Sequence, residues 1–286
     1  MVKPTRGGNE IRVMKGRADW PTMELRWSLQ ADGRTLKSAD EHLADMTRWA
    51  SAILLSLSPV AGQHIDELER AHAELDAHVT KLIEARRAEP RDDLLSRLIA
   101  AEEEGDRLSP SELLSVVTMM LVAGTDTTRN QLSNVIHTFA EHPDQWAILR
   151  ERPELVPAAV EEAIRWQPAT EALPRMTIEE IEIGGHVVPA NTFVMLMSMS
   201  ANHDVDALDG ADRFDITRTT PAGWHLLTFG GGVHYCLGAS LARLELIEAL
   251  AELSSRLPAL RLDGTPVQHP QPAVINGYAS LPIRWD

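Results

Sequence analysis

Phe229-Gly230-Gly231-Gly232-Val233-His234-Tyr235-Cys236-Leu237-Gly238 places the only cysteine of the chain behind a run of glycines and just ahead of a helical pattern. Glycine has no side chain to hold a flat ligand away from the backbone. Free amides in such a loop, together with the positive end of a following helix, favour a thiolate at Cys236. A sulfur so placed is a metal ligand or a nucleophile. Two rival readings explain less of the pattern. A phosphate-binding glycine loop would finish in a Lys-Ser/Thr pair, which is absent here. A zinc site on Cys236, His234 and His225 lacks a second Cys-x-x-Cys or His-x-x-His pair.

Around this loop the pattern is mostly helical. Leu43, Met46, Trp49, Ile53 and Leu57 recur at helical spacing before Pro59, and Ile65, Leu68, Ala71, Leu75, Val79, Leu82 and Ile83 do so up to Arg87. A shorter helix is expected over Asp92 to Glu103. Ser109-Pro110-Ser111-Glu112 has the form of a capping box with proline at the first helical position, and no proline follows until Pro143, so a helix of about 30 residues begins there. Further helices are expected over Pro143 to Arg152, Pro153 to Trp166 and about Leu237 to Leu257. Residues 176 to 200 alternate in short β-like runs with turns at Gly184-Gly185 and Pro189-Ala190. Residues 201 to 235 form a long irregular connection of the kind that carries function. The proline-punctuated tail ends in strand-like Ala279 to Trp285. The fold class is mainly α with a minor β-sheet.

The 286 residues are 44% hydrophobic and 24% charged, which excludes a disordered tail or a disulfide mini-protein. A net charge of -15 disfavours a bulk grip on nucleic acid or anionic lipid. Residues 1–38 are the exception, with eight Lys or Arg against four Asp or Glu; they read as an irregular or poorly ordered segment, and residues 39–286 as the folded domain. That basic arm has no apolar stretch like that of an export signal, so cytoplasm is the expected compartment. The uncharged stretch Trp49 to Ile65 holds Pro59, His64 and serines and falls short of the roughly 20 residues of a membrane span, so no membrane is expected.

The glycine–cysteine stretch resembles the Phe-x-x-Gly-x-x-x-Cys-x-Gly heme-thiolate signature of the cytochromes P450 in their bacterial soluble form, carried here by Phe229, Gly230, Gly232, Cys236 and Gly238. The resemblance implies that Cys236 is the proximal ligand of heme iron, pushing electron density onto it to favour O–O cleavage, and that His234 hydrogen-bonds a heme propionate. Glu162-Ala163-Ile164-Arg165 resembles the Glu-x-x-Arg of the family, whose partner arginine matches Arg218, four residues after Phe214, with Ala211 where the family has proline. A buried structural network of Glu162, Arg165 and Arg218 is the implication; alone, Glu162 and Arg165 would be an ordinary helical ion pair. Ala123-Gly124-Thr125-Asp126-Thr127-Thr128 resembles the segment over the distal heme face, with Asp126 and Thr127 as the acid and alcohol that deliver protons. Glycine and threonines in mid-helix also suggest a local opening, the alternative being threonines that back-bond to carbonyls. Arg175 matches a propionate-binding arginine.

The resemblance covers residues 39 to 286. The family's His/Trp-x-x-x-Arg helix has no match, since no histidine or tryptophan among residues 1 to 120 is followed four positions on by arginine. The chain therefore reads as a partial cytochrome P450 heme domain, truncated at its N-terminal side. The implied function is a monooxygenase holding heme b (iron protoporphyrin IX), inserting one atom of O2 into an apolar small molecule. Electrons would come from a separate ferredoxin or flavodoxin and its reductase, as the chain has no flavin or nicotinamide segment. Expected pocket walls are Leu121, Val122, Gly124 and Thr125, Ala172 and Leu173, and Asn276, Gly277 and Tyr278. The alternatives are a non-catalytic fragment with weak or no heme binding, and a heme sensor or electron carrier, in which Asp126 and Thr127 would have no purpose.

Overall fold

The computed structural model describes residues 12–15, 21–24, 43–58, 60–103, 108–269 and 275–285. The chain packs as two compact units: Met1–Arg129 with Pro272–Val274, and Asn130–Gln271 with Ile275–Asp286. The boundary falls inside the longest helix.

The first unit contains a hairpin of β1 (Arg12–Lys15) and β2 (Pro21–Glu24), antiparallel with Arg12 opposite Glu24. It lies within the segment expected to be irregular, whose other residues are outside the described ones. Three helices follow: α1 (Leu43–Leu54), α2 (Ile65–Ala88) and α3 (Leu94–Glu103); then α4 (Pro110–Glu141) begins. Ala71, Leu75, Val79 and Ile83 make one buried stripe at four-residue spacing on α2. It packs with Met46, Trp49, Ala50 and Ile53 of α1, Leu95 and Ile99 of α3, and Leu113, Val117, Leu121 and Val122 of α4. Each fully buried leucine or valine here stabilises the unit by about 1.5–3 kcal/mol. Leu57, part of the expected helical series, falls in a 3-10 turn (Leu55–Leu57) after α1 and is exposed.

The capping box at the start of α4 is formed. Glu112 Oε2 accepts the Ser109 backbone N–H at 2.7 Å, and Ser109 Oγ accepts the Glu112 N–H at 3.3 Å. The 32 residues of α4 are helical throughout, so the local opening expected at residues 123 to 128 is absent. The threonines instead back-bond: Thr125 Oγ1 donates to the Leu121 carbonyl at 2.6 Å and Thr127 Oγ1 to that of Ala123 at 2.7 Å.

The second unit takes the remainder of α4, then α5 (Pro143–Glu151), a 3-10 turn (Pro153–Leu155) and α6 (Val156–Trp166). Short strands β3 (Leu173–Met176), β4 (Ile181–Ile183), β5 (His186–Val188) and β6 (Phe193–Leu196) pair antiparallel as β3–β6 and β4–β5. The β4–β5 turn uses Gly184 and Gly185 at φ +58° and +81°, two successive left-handed positions that a tight hairpin turn demands. After α7 (Ser198–Asn202) and an irregular run comes α8 (Ala239–Arg256). In the tail, β7 (Arg261–Leu262) pairs with β10 (Ile283–Arg284), and β8 (Val267–Gln268) with β9 (Tyr278–Ser280). No helix among the described residues is long and apolar enough to cross a membrane.

Candidate active site

The cysteine loop is held by its own backbone. A 3-10 turn, Leu227–Phe229, leads into Gly230 at φ +73°, ψ -157°, a conformation open only to glycine. A Cβ there would lie 3.5 Å from the His234 carbonyl oxygen and 3.8 Å from Leu173 Cδ1, so Leu173 is brought to the loop. A second 3-10 turn, Gly232–His234, follows, and the Cys236 N–H then donates to the Phe229 carbonyl at 2.9 Å, closing the loop on its first residue. Because α8 begins only at Ala239, capped by Gly238, Cys236 precedes the helix; its carbonyl accepts the Ala239 N–H at 3.2 Å. The cysteine is exposed, and two apolar neighbours are almost wholly so: Val233 at 96% and Leu237 at 84%. His234 makes no hydrogen bond to a described residue. Arg175 Nη1 donates only to the carbonyl of its neighbour Pro174, at 2.8 Å.

Glu162, Arg165 and Arg218 meet in the second unit. Arg165 is 1% exposed and Glu162 5%, and they join through Nε–Oε2 at 2.7 Å and Nη2–Oε1 at 2.8 Å. The rest of the Arg165 fork donates to the carbonyls of Asn202, Ala211 and Arg213, each at 2.9 Å. Arg218 Nε approaches Glu162 Oε2 at 3.3 Å, while its Nη2 donates to the carbonyls of Gly210 and Arg213 at 2.8 and 2.7 Å. One buried carboxylate and two guanidiniums thus order the irregular run upstream of the cysteine loop. Phe214 packs edge-on against Phe139 with centroids 5.3 Å apart.

In the first unit Asp126 is buried. Its Oδ2 accepts Ser51 Oγ at 2.7 Å and its Oδ1 accepts Arg129 Nη2 at 2.6 Å. Leu121 and Val122 are buried and continue the core stripe of Leu113 and Val117. Ala123 is exposed, and Gly124, Thr125 and Thr127 are partly so. In the tail, Tyr278 accepts Gln167 Nε2 on its hydroxyl at 3.0 Å and stacks on His137 at 4.5 Å between centroids. The Asn276 carbonyl accepts Asn134 Nδ2 at 3.2 Å, and Gly277 lies against Asn130, where a Cβ would come within 2.2 Å of Oδ1. Asn276 and Tyr278 therefore take part in a polar seam with the second part of α4. Ala172 is partly buried just before β3.

A family profile described as Cytochrome P450 matches residues 26–268. The chain belongs to the cytochrome P450 family. Cytochrome P450 107B1 of Saccharopolyspora erythraea is 37% identical over 86% of this chain, and Mycinamicin IV hydroxylase/epoxidase of Micromonospora griseorubida is 38% identical over 84%. This chain spans 59% of the length of each of these relatives. The Mycobacterium smegmatis CYP164A2 crystal structure with econazole bound is similar at a TM-score of 0.79 and 33% identity, over 86% of this chain and 62% of that one.

Cytochromes P450 are heme-iron enzymes, with heme b as the standard cofactor. The residues of the cysteine loop fit that group. An exposed thiol stands between two solvent-facing apolar side chains on a glycine backbone, the surface a flat apolar macrocycle with a sulfur-ligated metal would cover. Sequence reasoning missed Asn202, whose Nδ2 donates to Thr228 Oγ1 at 2.9 Å and whose Oδ1 accepts the Leu227 N–H at 3.1 Å. With its carbonyl on Arg165, Asn202 ties the buried ion network to the start of the cysteine loop. A single asparagine in a short helix carries no pattern from which this could be read.

Proposed function

We propose that this chain acts as a heme-thiolate monooxygenase: one atom of O2 enters an apolar small molecule, and the other leaves as water with two electrons and two protons. Those electrons come from a separate ferredoxin or flavodoxin with its reductase, in the cytoplasm. The observation that carries the reading is Cys236, an exposed thiol on a loop closed by its own N–H to the Phe229 carbonyl. Bound heme supplies the iron at which dioxygen is activated.

The chain's own residues then have distinct tasks. Cys236 Sγ would hold the metal as thiolate, and His234 and Arg175 would hold the propionates by charge-assisted hydrogen bonds. The Thr127 hydroxyl, whose proton points to the Ala123 carbonyl, keeps lone pairs free to accept another proton and pass one on. The neighbouring Asp126, whose carboxylate is oriented by Ser51 and Arg129, is the second residue assigned to proton delivery. Ala172 and Leu173, the latter brought to the cysteine loop, are substrate-facing positions.

The test is the absorption spectrum of the reduced chain under carbon monoxide, in which a thiolate-ligated heme has a red-shifted Soret band. The wild-type chain loaded with heme shows that band and Cys236→Ala does not, because no second sulfur of the cysteine type exists in the sequence. The same band in both proteins would remove Cys236 as the ligand.

A further inference from the structure

Beside the cysteine loop stands an arginine that the reading above leaves without a task. Arg243, one turn into α8, is bidentate to Glu161 of α6, with Nε–Oε1 at 2.6 Å and Nη2–Oε2 at 3.1 Å. Its remaining nitrogen, Nη1, donates to the Tyr235 hydroxyl at 3.2 Å, and its guanidinium carbon lies 4.3 Å from the centroid of the Phe229 ring. Phe229 and Tyr235 bracket the loop: the first carries the carbonyl that accepts the Cys236 N–H, and the second immediately precedes Cys236. One planar cation thus touches both ends of the loop and one carboxylate on another helix. A lysine could not do so, since an ammonium has neither the fork nor the flat face. Glu161 pushes the guanidinium's high pKa further up, against the opposing effect of burial. Glu161 and Glu162 are consecutive, so α6 serves two anchors from adjacent positions: Glu162 orders the connection through Arg165 and Arg218, and Glu161 reaches the loop through Arg243.

We propose that Arg243 is a positioning residue for the Cys236 loop: stacked on Phe229, bonded to Tyr235 and anchored by Glu161, it holds the loop in the shape that presents the sulfur. This deepens the heme-thiolate reading and rests on it for the role of the sulfur, while the contacts of Arg243 with the loop can be probed with and without heme. The experiment therefore has two arms on the full chain, each for wild type, Arg243→Lys and Arg243→Met. In the heme-free protein, amide hydrogen exchange is followed at Cys236 and across α1 to α3. After heme loading, the reduced carbon monoxide spectrum reports the share of heme held by thiolate.

Loss of the cation–π and hydrogen-bond contacts raises Cys236 exchange about tenfold in Arg243→Met while α1 to α3 exchange as in wild type. Arg243→Lys, which retains the charge opposite Glu161, loosens the loop to a similar degree, and both variants lose thiolate-type spectrum in proportion. Exchange at Cys236 within about twofold of wild type in Arg243→Met, or full restoration by lysine, overturns the proposal. Should methionine at 243 unfold the chain, the lysine variant decides alone. A wild-type spectrum without the thiolate band would sink the ligand assignment of Cys236 and leave the exchange arm to judge Arg243.

Discussion

Glu245 and Glu112 show how far one side-chain type is set by its surroundings. Glu112 accepts the Ser109 N–H and hydroxyl, which hold its carboxyl below the usual range, so its contribution to stability is present near neutral pH and lost on acidification. Glu245, in the second turn of α8, has no partner among the described residues, and burial pushes it from 4.5 up to about 7. The sign is then opposite. Between those two values the folded chain keeps a proton that the unfolded chain releases, so stability falls as pH rises through the interval, with the full cost present above pH 7. Glu245→Gln is expected to flatten that slope and to stabilise the chain by roughly 1 kcal/mol at pH 8, a value reduced for solvent screening at a half-buried site. Urea midpoints at pH 5 and pH 8 test it: parallel wild-type and variant changes would show that Glu245 is not the group responsible.

At the level of elements, α6 fixes the path of the chain from α7 to α8. Replacing Glu162 by alanine leaves Arg165, with 1% exposure, buried without its counter-charge; a loss of about 3–5 kcal/mol is expected, readable as a large drop in the denaturant midpoint. Glu162→Gln, which retains the hydrogen-bonding shape without the charge, should lose less, and equal losses would mean that the charge, not the shape, dominates. The legibility of these elements follows the sequence range of their causes. The capping box of α4 could be read because its partners are three residues apart. The buried triad could not be read by periodicity, since Glu162 and Arg218 are far apart in sequence, and only the family resemblance joined them. Asn202 and Arg243 had no such help. Leu121 and Val122 carry a second signal at the same time, since they extend the apolar stripe begun by Leu113 and Val117, and their burial follows that stripe. The unit boundary at Arg129 was invisible because helical periodicity continues across it.

Over the whole molecule, charge and apolar exposure act in opposition. The chain carries -15 at pH 7, and self-repulsion of that size keeps copies apart. Yet apolar side chains of the second unit stand in solvent, among them Ile178 at 90% and Val187 at 63%. Exposed apolar area of this kind favours association once repulsion fades. The sequence pI of about 5.2 sets where it fades. The chain is therefore expected to remain dispersed at pH 8 in low salt and to associate as the pH approaches 5.2, with added salt shifting the onset upward by screening. Ile178→Thr combined with Val187→Thr keeps the net charge and the β-branched shape and removes apolar surface, so it separates the two causes. If the apolar positions drive association, light scattering at pH 5.2 falls in the double variant while its charge titration matches wild type. Unaltered scattering would assign the effect to charge neutralisation alone, and Ile178 and Val187 would then be ordinary solvent-facing residues with no part in self-association.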